Sequence, residues 1–117
     1  MIRVKRAYDK PSPDDGLRIL VDRLWPRGIK KEVLLLDEWM KEVSPSPELR
    51  KWYGHELDKW SQFVERYYKE LDGKQDLCQS LLAKAKDNAV TLIFSSADTE
   101  HNSAVALMRY LEAKKVG

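Results

Sequence analysis

The chain has 117 residues, of which 43% are hydrophobic and four are tryptophan, enough to build the core of a single domain. No apolar run approaches the roughly 18 residues that cross a bilayer. Met1–Arg6 carries no secretory signal, and the single cysteine, Cys78, cannot form an intramolecular disulfide. These features exclude a disulfide-stapled or membrane-spanning class and predict a cytoplasmic protein without a membrane partner.

Charge is informative only at the N-terminus. The chain carries 21 Lys and Arg against 19 Asp and Glu, and its net charge of +2 does not by itself indicate a nucleic-acid-binding protein. Residues 1–31 differ, because nine basic residues there face four acidic ones. We call this region the basic N-terminal lobe. It is compatible with an anionic partner and equally with a solvated positive face.

The first half of the chain predicts two strands. Apolar and polar residues alternate over Ile2–Ala7, the period of a half-buried strand, and a Pro- and Gly-containing loop follows over residues 11–16. Ile19–Val21 is typical of a buried strand that ends at the loop Asp22–Gly28. The pattern of Val33–Val43 fits a helix or a strand, and both remain open.

Helices dominate the second half. Ser46 followed by Pro47 predicts the start of a short helix that ends at Gly54. A longer helix is predicted from Glu56 to about Leu71, and its apolar spacing predicts one buried face. That face is expected to contain Leu57, Trp60, Phe63 and Tyr67.

A third helix should follow and end near Asn88, with Cys78 on its apolar stripe. Ala89–Phe94 is the most strand-like stretch in the chain, and a final helix carries Ala104 to Leu111. Strands separated by helices favour an α/β fold, with a mostly parallel sheet covered by helices in a single compact domain spanning residues 1–117. Chain order alone does not give the strand order.

Two loops leave the carboxyl ends of predicted strands, where open parallel sheets bind ligands. In the first, Asp22 offers an acceptor, and Arg23 and Arg27 offer planar forks that suit phosphate or carboxylate. Trp25 is a candidate stacking surface, and Gly28 would let the backbone approach a ligand. The alternative is structural, with the arginines in buried ion pairs and the indole in the core.

The second loop joins a strand to the last helix and carries polar side chains. Ser95 and Ser96 are candidate hydroxyl donors to an anion. His101 is the candidate general acid or base, and Asn102 could orient a ligand. The alternative is local capping, with Asp98 or Asn102 satisfying the helix start and His101 facing solvent. The glycine spacing of phosphate-binding loops is absent.

Arg50 and His55 lie between these loops in sequence and are further candidates for the same edge of the sheet, as is Trp52 if it is not in the core. With two histidines and one cysteine at no ligand spacing, the sequence predicts neither a metal site nor a cofactor.

These residues carry a resemblance to a known family. The strings Tyr8–Pro11 and Asp15–Gly28 resemble the signature of the YeaO-like proteins, small bacterial proteins within a larger family of domains of unknown function. Further matches extend to His101 and Asn102, so the resemblance covers nearly the whole chain. It implies a fold and a site location but no reaction. The chain departs from the family pattern over Phe94–Thr99, which argues against a catalytic side chain at Ser95 or Ser96.

The leading hypothesis is a protein that binds a small anionic ligand, with or without catalysis. Arg23 and Arg27 would hold the anion, while Asp22 and His101 would be the candidate catalytic groups. One alternative is a non-catalytic nucleic-acid-binding module that uses the basic N-terminal lobe and Trp25. Another is an interaction subunit without a ligand. The sequence leaves the oligomeric state open.

Overall fold

A parallel four-stranded sheet forms the centre of the computed structural model, which describes residues 1–116 and the side chains of residues 1–114. The strands are β1 (Ile2–Arg6), β2 (Leu17–Leu20), β3 (Glu38–Trp39) and β4 (Val90–Phe94). Their order across the sheet is β1-β4-β2-β3, and every pair is parallel. The predicted α/β fold is confirmed.

Five α-helices pack around this sheet within the described residues. They are α1 (Lys31–Leu34), α2 (Pro47–Tyr53), α3 (Trp60–Asp72), α4 (Gln75–Asp87) and α5 (Ser103–Val116). The stretch Val33–Val43 fits one period poorly because it holds the end of α1, the short β3 and a 3₁₀ turn over Lys41–Val43. None of the described helices is long and apolar enough to cross a membrane.

The sheet is covered on both faces. All five residues of β4 are buried, and alternate ones point to opposite sides. Leu92 belongs to the main core with residues of α2 to α5, whereas Ile93 belongs to a smaller cluster with Leu34 of α1. Burial on both faces explains why β4 is continuously apolar in sequence.

Buried polar contacts of Arg18 connect β2 to the preceding turn and to α1. Arg18 donates to Asp15 Oδ2 at 2.6 Å and to the Leu34 carbonyl at 2.8 Å, and the Lys5 ammonium lies 3.0 Å from Asp15 Oδ1. Gly16, at φ +63°, precedes this strand because a Cβ there would lie 2.2 Å from the Ala89 carbonyl oxygen. The polar contacts hold the start of β2 near α1 and β1, and Gly16 lets it approach the residue before β4.

The predicted long helix is present, but its buried face was partly wrong. The α-helix begins at Trp60, and Leu57 lies in a preceding 3₁₀ turn where it is 57% exposed. Phe63 and Tyr67 are buried, whereas Trp60 is half-buried. The Tyr67 hydroxyl donates to the Val43 carbonyl at 2.6 Å, which fixes the helix over the 3₁₀ turn.

Candidate functional site

A cavity of about 630 Å³ opens at the edge of the sheet where β2 and β4 end. Its position follows from the register, because Leu20 lies opposite Ile93 and the two strands run parallel. The loops after both strands therefore leave from the same edge, and α2 and the starts of α3 and α5 complete the wall. The sequence-predicted site residues line it, except Gly28 and the conditional candidate Trp52: Asp22, Arg23, Trp25, Arg27, Arg50, His55, Ser95, Ser96, His101 and Asn102.

The charges around this cavity are unequal. Among the described residues, four cationic side chains line it, Arg23, Arg27, Arg50 and Lys51, against the one carboxylate of Asp22. Within the described part of the chain, none of the four cations has a carboxylate oxygen within 4.0 Å. The cavity therefore presents positive charge that the described side chains do not neutralise by ion pairing.

The structural alternative predicted that Arg23 would form a buried ion pair. The described residues include no such acidic partner. Its Nε is buried and has no hydrogen-bond partner among the described residues. A buried donor without an acceptor costs about 1–3 kcal/mol. The structure thus leaves at the cavity wall a guanidinium whose hydrogen-bonding capacity is not used by the fold.

Asp22 joins the two loops. Its Oδ2 accepts a hydrogen bond from the Ser95 N–H at 2.8 Å, and its backbone carbonyl accepts one from the Trp39 indole at 2.8 Å. Burial raises the pKa of Asp22 above its ordinary value of 3.8, although the Ser95 hydrogen bonds and the positive charge of Arg50 oppose that rise. The carboxylate therefore orders the loops at an electrostatic cost.

His101 is held by an acid from its own loop. Its Nδ1 lies 3.0 Å from Asp98 Oδ2, and its ring stands at 88° to the Trp60 ring with 5.3 Å between centroids. Hydrogen bonds from the backbone N–H groups of His101 and Glu100 lower the pKa of Asp98, so this carboxylate accepts and the imidazole donates from Nδ1. Nε2 is then the nitrogen left for a ligand or a proton.

Two residues predicted as ligand contacts line the cavity and also make hydrogen bonds within the fold. Asn102 is 6% exposed; its Oδ1 accepts from the Val105 N–H at 2.9 Å and its Nδ2 donates to the Asp98 carbonyl at 2.9 Å. It caps α5, as the alternative had it. Ser96 Oγ accepts from the Asp98 N–H at 3.1 Å and so closes the turn before that helix.

The structure places Trp25 at the cavity wall and Gly28 outside the cavity lining. The Trp25 indole packs edge-on against Trp39, with ring centroids 5.5 Å apart, and its Nε1 donates to the Ile29 carbonyl at 2.7 Å. Part of it lines the cavity, but the core holds the ring. Gly28 has a φ of +80° and open space around it, so this turn needs glycine for its backbone angle rather than for close approach.

The position of α2 brings Arg50 to the cavity. Ser46 caps this helix by accepting from the Leu49 N–H at 3.1 Å, and its hydroxyl donates to Glu70 Oε2 at 2.6 Å. The Ser46 N–H donates to Glu70 Oε1 at 2.8 Å, so α2 is tied to α3. His55, next to the glycine that ends α2, is exposed and adopts a φ of +60° at the cavity rim.

Sequence reasoning missed the aromatic side of the cavity. Its members come from α2, α3, the end of β4 and the loop after β1: Tyr53, Trp60, Phe63, Phe94 and Tyr8. The periodicity of α3 marked two of them as core, and nothing local indicated that their edges reach a cavity. Tyr8 does so by donating its hydroxyl hydrogen bond to the Arg27 carbonyl at 3.0 Å.

The described residues hold no group of three or more His, Cys, Asp or Glu side chains that could bind a metal ion. The cavity lining offers guanidinium groups, a carboxylate, an oriented imidazole and aromatic rings.

Comparisons with known proteins agree with one another. Residues 1–116 match a protein family described as the inactive DUF488-N3 subclade. The uncharacterised protein YeaO of Escherichia coli is 46% identical over 112 residues, which cover 96% of this chain and 97% of that protein. An uncharacterised protein of Mycobacterium tuberculosis is 36% identical over 113 residues, 97% of this chain and 95% of the relative. No solved structure gives a significant match.

Proposed function

The chain belongs to the DUF488-N3 family of YeaO-like proteins, in the subclade described as inactive, and from this premise we propose that it binds a small organic anion without transforming it. The ligand would carry a phosphate or carboxylate group and would occupy the cavity between the loops that follow β2 and β4.

The excess of cations around the cavity carries this proposal. Arginine binds phosphate or carboxylate through two parallel hydrogen bonds, and its charge is permanent. Arg27 and Arg50 are exposed and unpaired at the rim, while Arg23 lies deeper with an unused donor. A bound anion would supply the counter-charge that the described part of the chain does not.

The contacts of the basic N-terminal lobe disfavour the nucleic-acid alternative. Lys5 and Arg18 in the basic N-terminal lobe are paired with Asp15. Arg6 donates to the Ser96 carbonyl at 2.9 Å, and Arg3 donates to the Asp14 carbonyl. These contacts occupy four of the lobe's nine basic side chains, and two more line the cavity. The three that remain, Lys10, Lys30 and Lys31, are fewer than a continuous stripe along a phosphate backbone needs.

Asp98 and His101 are arranged as in an acid–base pair, with a carboxylate orienting an imidazole. A family described as inactive gives no support for a reaction at this pair. We assign the free Nε2 of His101 to hydrogen bonding with the ligand and retain proton transfer as the alternative. A substrate that is turned over by the wild type but not by His101→Ala would establish the alternative.

Isothermal titration calorimetry with a panel of small phosphates and carboxylates tests binding. We expect at least one of them to bind, and we expect Arg27→Ala and Arg50→Ala each to weaken it about tenfold, since a charged hydrogen bond contributes about 1.5–3 kcal/mol. Arg109→Ala is the matched control, because Arg109 is exposed on α5 and does not line the cavity. Equal losses in all three variants, or no binding at all, would contradict the proposal.

A further inference from the structure

We infer that the ligand is an aryl anion, in which a phosphate or carboxylate group is joined to a planar ring directly or through one intervening atom. This inference rests on the proposed function and specifies the class of ligand. It is drawn from three aromatic residues of the cavity lining, Tyr53, Trp60 and Phe63, whose rings lie together. We call these three residues the aromatic wall.

The aromatic wall is a connected stack. The Trp60 and Phe63 rings lie 5.4 Å apart at 21°, and the Tyr53 and Phe63 rings lie 4.7 Å apart at 34°. Tyr53 and Phe63 are 6% and 3% exposed, so they form the back of the wall. Trp60 is half-buried and offers the accessible surface. A planar ring placed there would extend a stack that the fold has already ordered.

The size of the cavity argues against a bare anion. Its volume of about 630 Å³ lies within the range of organic ligand sites, about 300–1,000 Å³. Inorganic phosphate would fill a small part of it and leave the aromatic wall in contact with water. A ligand with an apolar part would cover the wall.

Helix α2 brings a charged side chain and an aromatic ring to the cavity from neighbouring positions. Arg50 and Tyr53 both line the cavity and are three residues apart, so they lie on the same face of the helix. Side chains at this spacing start about 5–6 Å apart. This proximity favours a ligand whose anionic group is close to its ring, as in phenyl phosphate or benzoate.

The test compares phenyl phosphate with cyclohexyl phosphate, which has the same charge and a similar size but no π face. We expect the wild type to bind phenyl phosphate about tenfold tighter, and to bind inorganic phosphate more weakly than either. Trp60→Leu should bring the two organic phosphates to equal affinity. Trp52→Leu should keep the preference, because Trp52 is also half-buried but does not line the cavity and packs beneath Arg66 instead.

The outcomes separate this inference from the proposed function. Equal binding of the two organic phosphates by the wild type overturns the aryl preference and leaves anion binding intact, and this result does not depend on whether the Trp60 variant folds. Preference for phenyl phosphate that survives in a folded Trp60→Leu variant overturns the role of the aromatic wall. If no small phosphate or carboxylate binds, the proposed function itself is wrong.

Discussion

At the scale of a single residue, Asp22 shows how a carboxylate buried at the cavity can lower the stability of the fold. Its pKa is raised by burial against the opposing effects of Ser95 and Arg50. A carboxyl group with a raised pKa contributes stability that is complete below its unfolded value of 3.8 and is lost as the pH rises through the folded value. Burial of the ionised Asp22 carboxylate therefore costs stability relative to its protonated form.

Asp22→Asn should raise the free energy of unfolding at pH 7, because the amide oxygen still accepts from the Ser95 N–H without carrying a buried charge. At pH 3 the gain should disappear, since the carboxyl group is then protonated in both the folded and the unfolded chain. Urea denaturation at the two pH values measures this, with the exposed Asp9→Asn as control. A less stable Asn variant at pH 7 would show that Asp22 is stabilising as an anion.

Arg18 and Arg23 lie five residues apart, and their replacement by alanine should change the free energy of unfolding by different amounts. Arg18→Ala leaves Asp15 with Lys5 as its remaining cationic partner and the Leu34 carbonyl without this donor, and it should cost about 1–3 kcal/mol. Arg23→Ala removes a buried donor that has no described partner but also removes the packing of the arginine stem, so we expect the two effects to offset each other to within about 1 kcal/mol. Denaturant unfolding of both variants measures this. A loss of several kcal/mol in the Arg23 variant would reveal a structural partner.

At the scale of elements, the sequence predicted β4 and most of α3, where the periodic signal is strong. It could not resolve Val33–Val43, because a four-residue helix and a two-residue strand are too short to show a period. It misassigned Leu57, since apolar spacing does not reveal that the chain enters α3 through a 3₁₀ turn. The strand order also depends on long-range pairing that no local pattern encodes.

The start of α3 gives a prediction at the same scale. Phe63→Ala should cost about 3–5 kcal/mol because the ring is 3% exposed in the main core. Leu57→Ala should cost less than about 1 kcal/mol, because that side chain is 57% exposed. Trp60→Ala should fall between the two, since its indole is half-buried. Thermal and urea unfolding of the three variants would test this order, which fails if Leu57→Ala proves as costly as Phe63→Ala.

At the scale of the whole molecule, the fold concentrates positive charge in the cavity. The cavity has an excess of three positive charges, four cations against one carboxylate among the described residues. The chain's net charge is +2, so everything outside the cavity sums to −1. The sequence predicted the charged edge because parallel strands end together. It missed the aromatic wall, because that depends on how α2 and α3 pack over the sheet.

The separation between the cationic cavity and the exposed lysines of the lobe allows a test that distinguishes a small-anion site from a nucleic-acid surface. Lys10, Lys30 and Lys31 belong to the basic N-terminal lobe, are exposed and lie outside the cavity. Replacing all three by alanine should change phenyl phosphate affinity by less than about twofold at 0.15 M salt, where charges more than about 8 Å apart are largely screened. Arg27→Ala combined with Arg50→Ala should reduce the same affinity about 100-fold, if each loses one charged contact of about 1.5–3 kcal/mol.

The same two variants are then titrated with a single-stranded oligonucleotide across a range of salt concentrations. If the small-anion site is the functional one, oligonucleotide binding should be weak in the wild type, with a Kd of about 10⁻⁴–10⁻⁶ M at physiological salt, as for non-specific contacts. Tight oligonucleotide binding that falls steeply with salt and is lost in the triple-lysine variant would contradict this. The basic N-terminal lobe would then be the binding surface, because each phosphate contact that is removed should reduce the salt dependence by a matching amount.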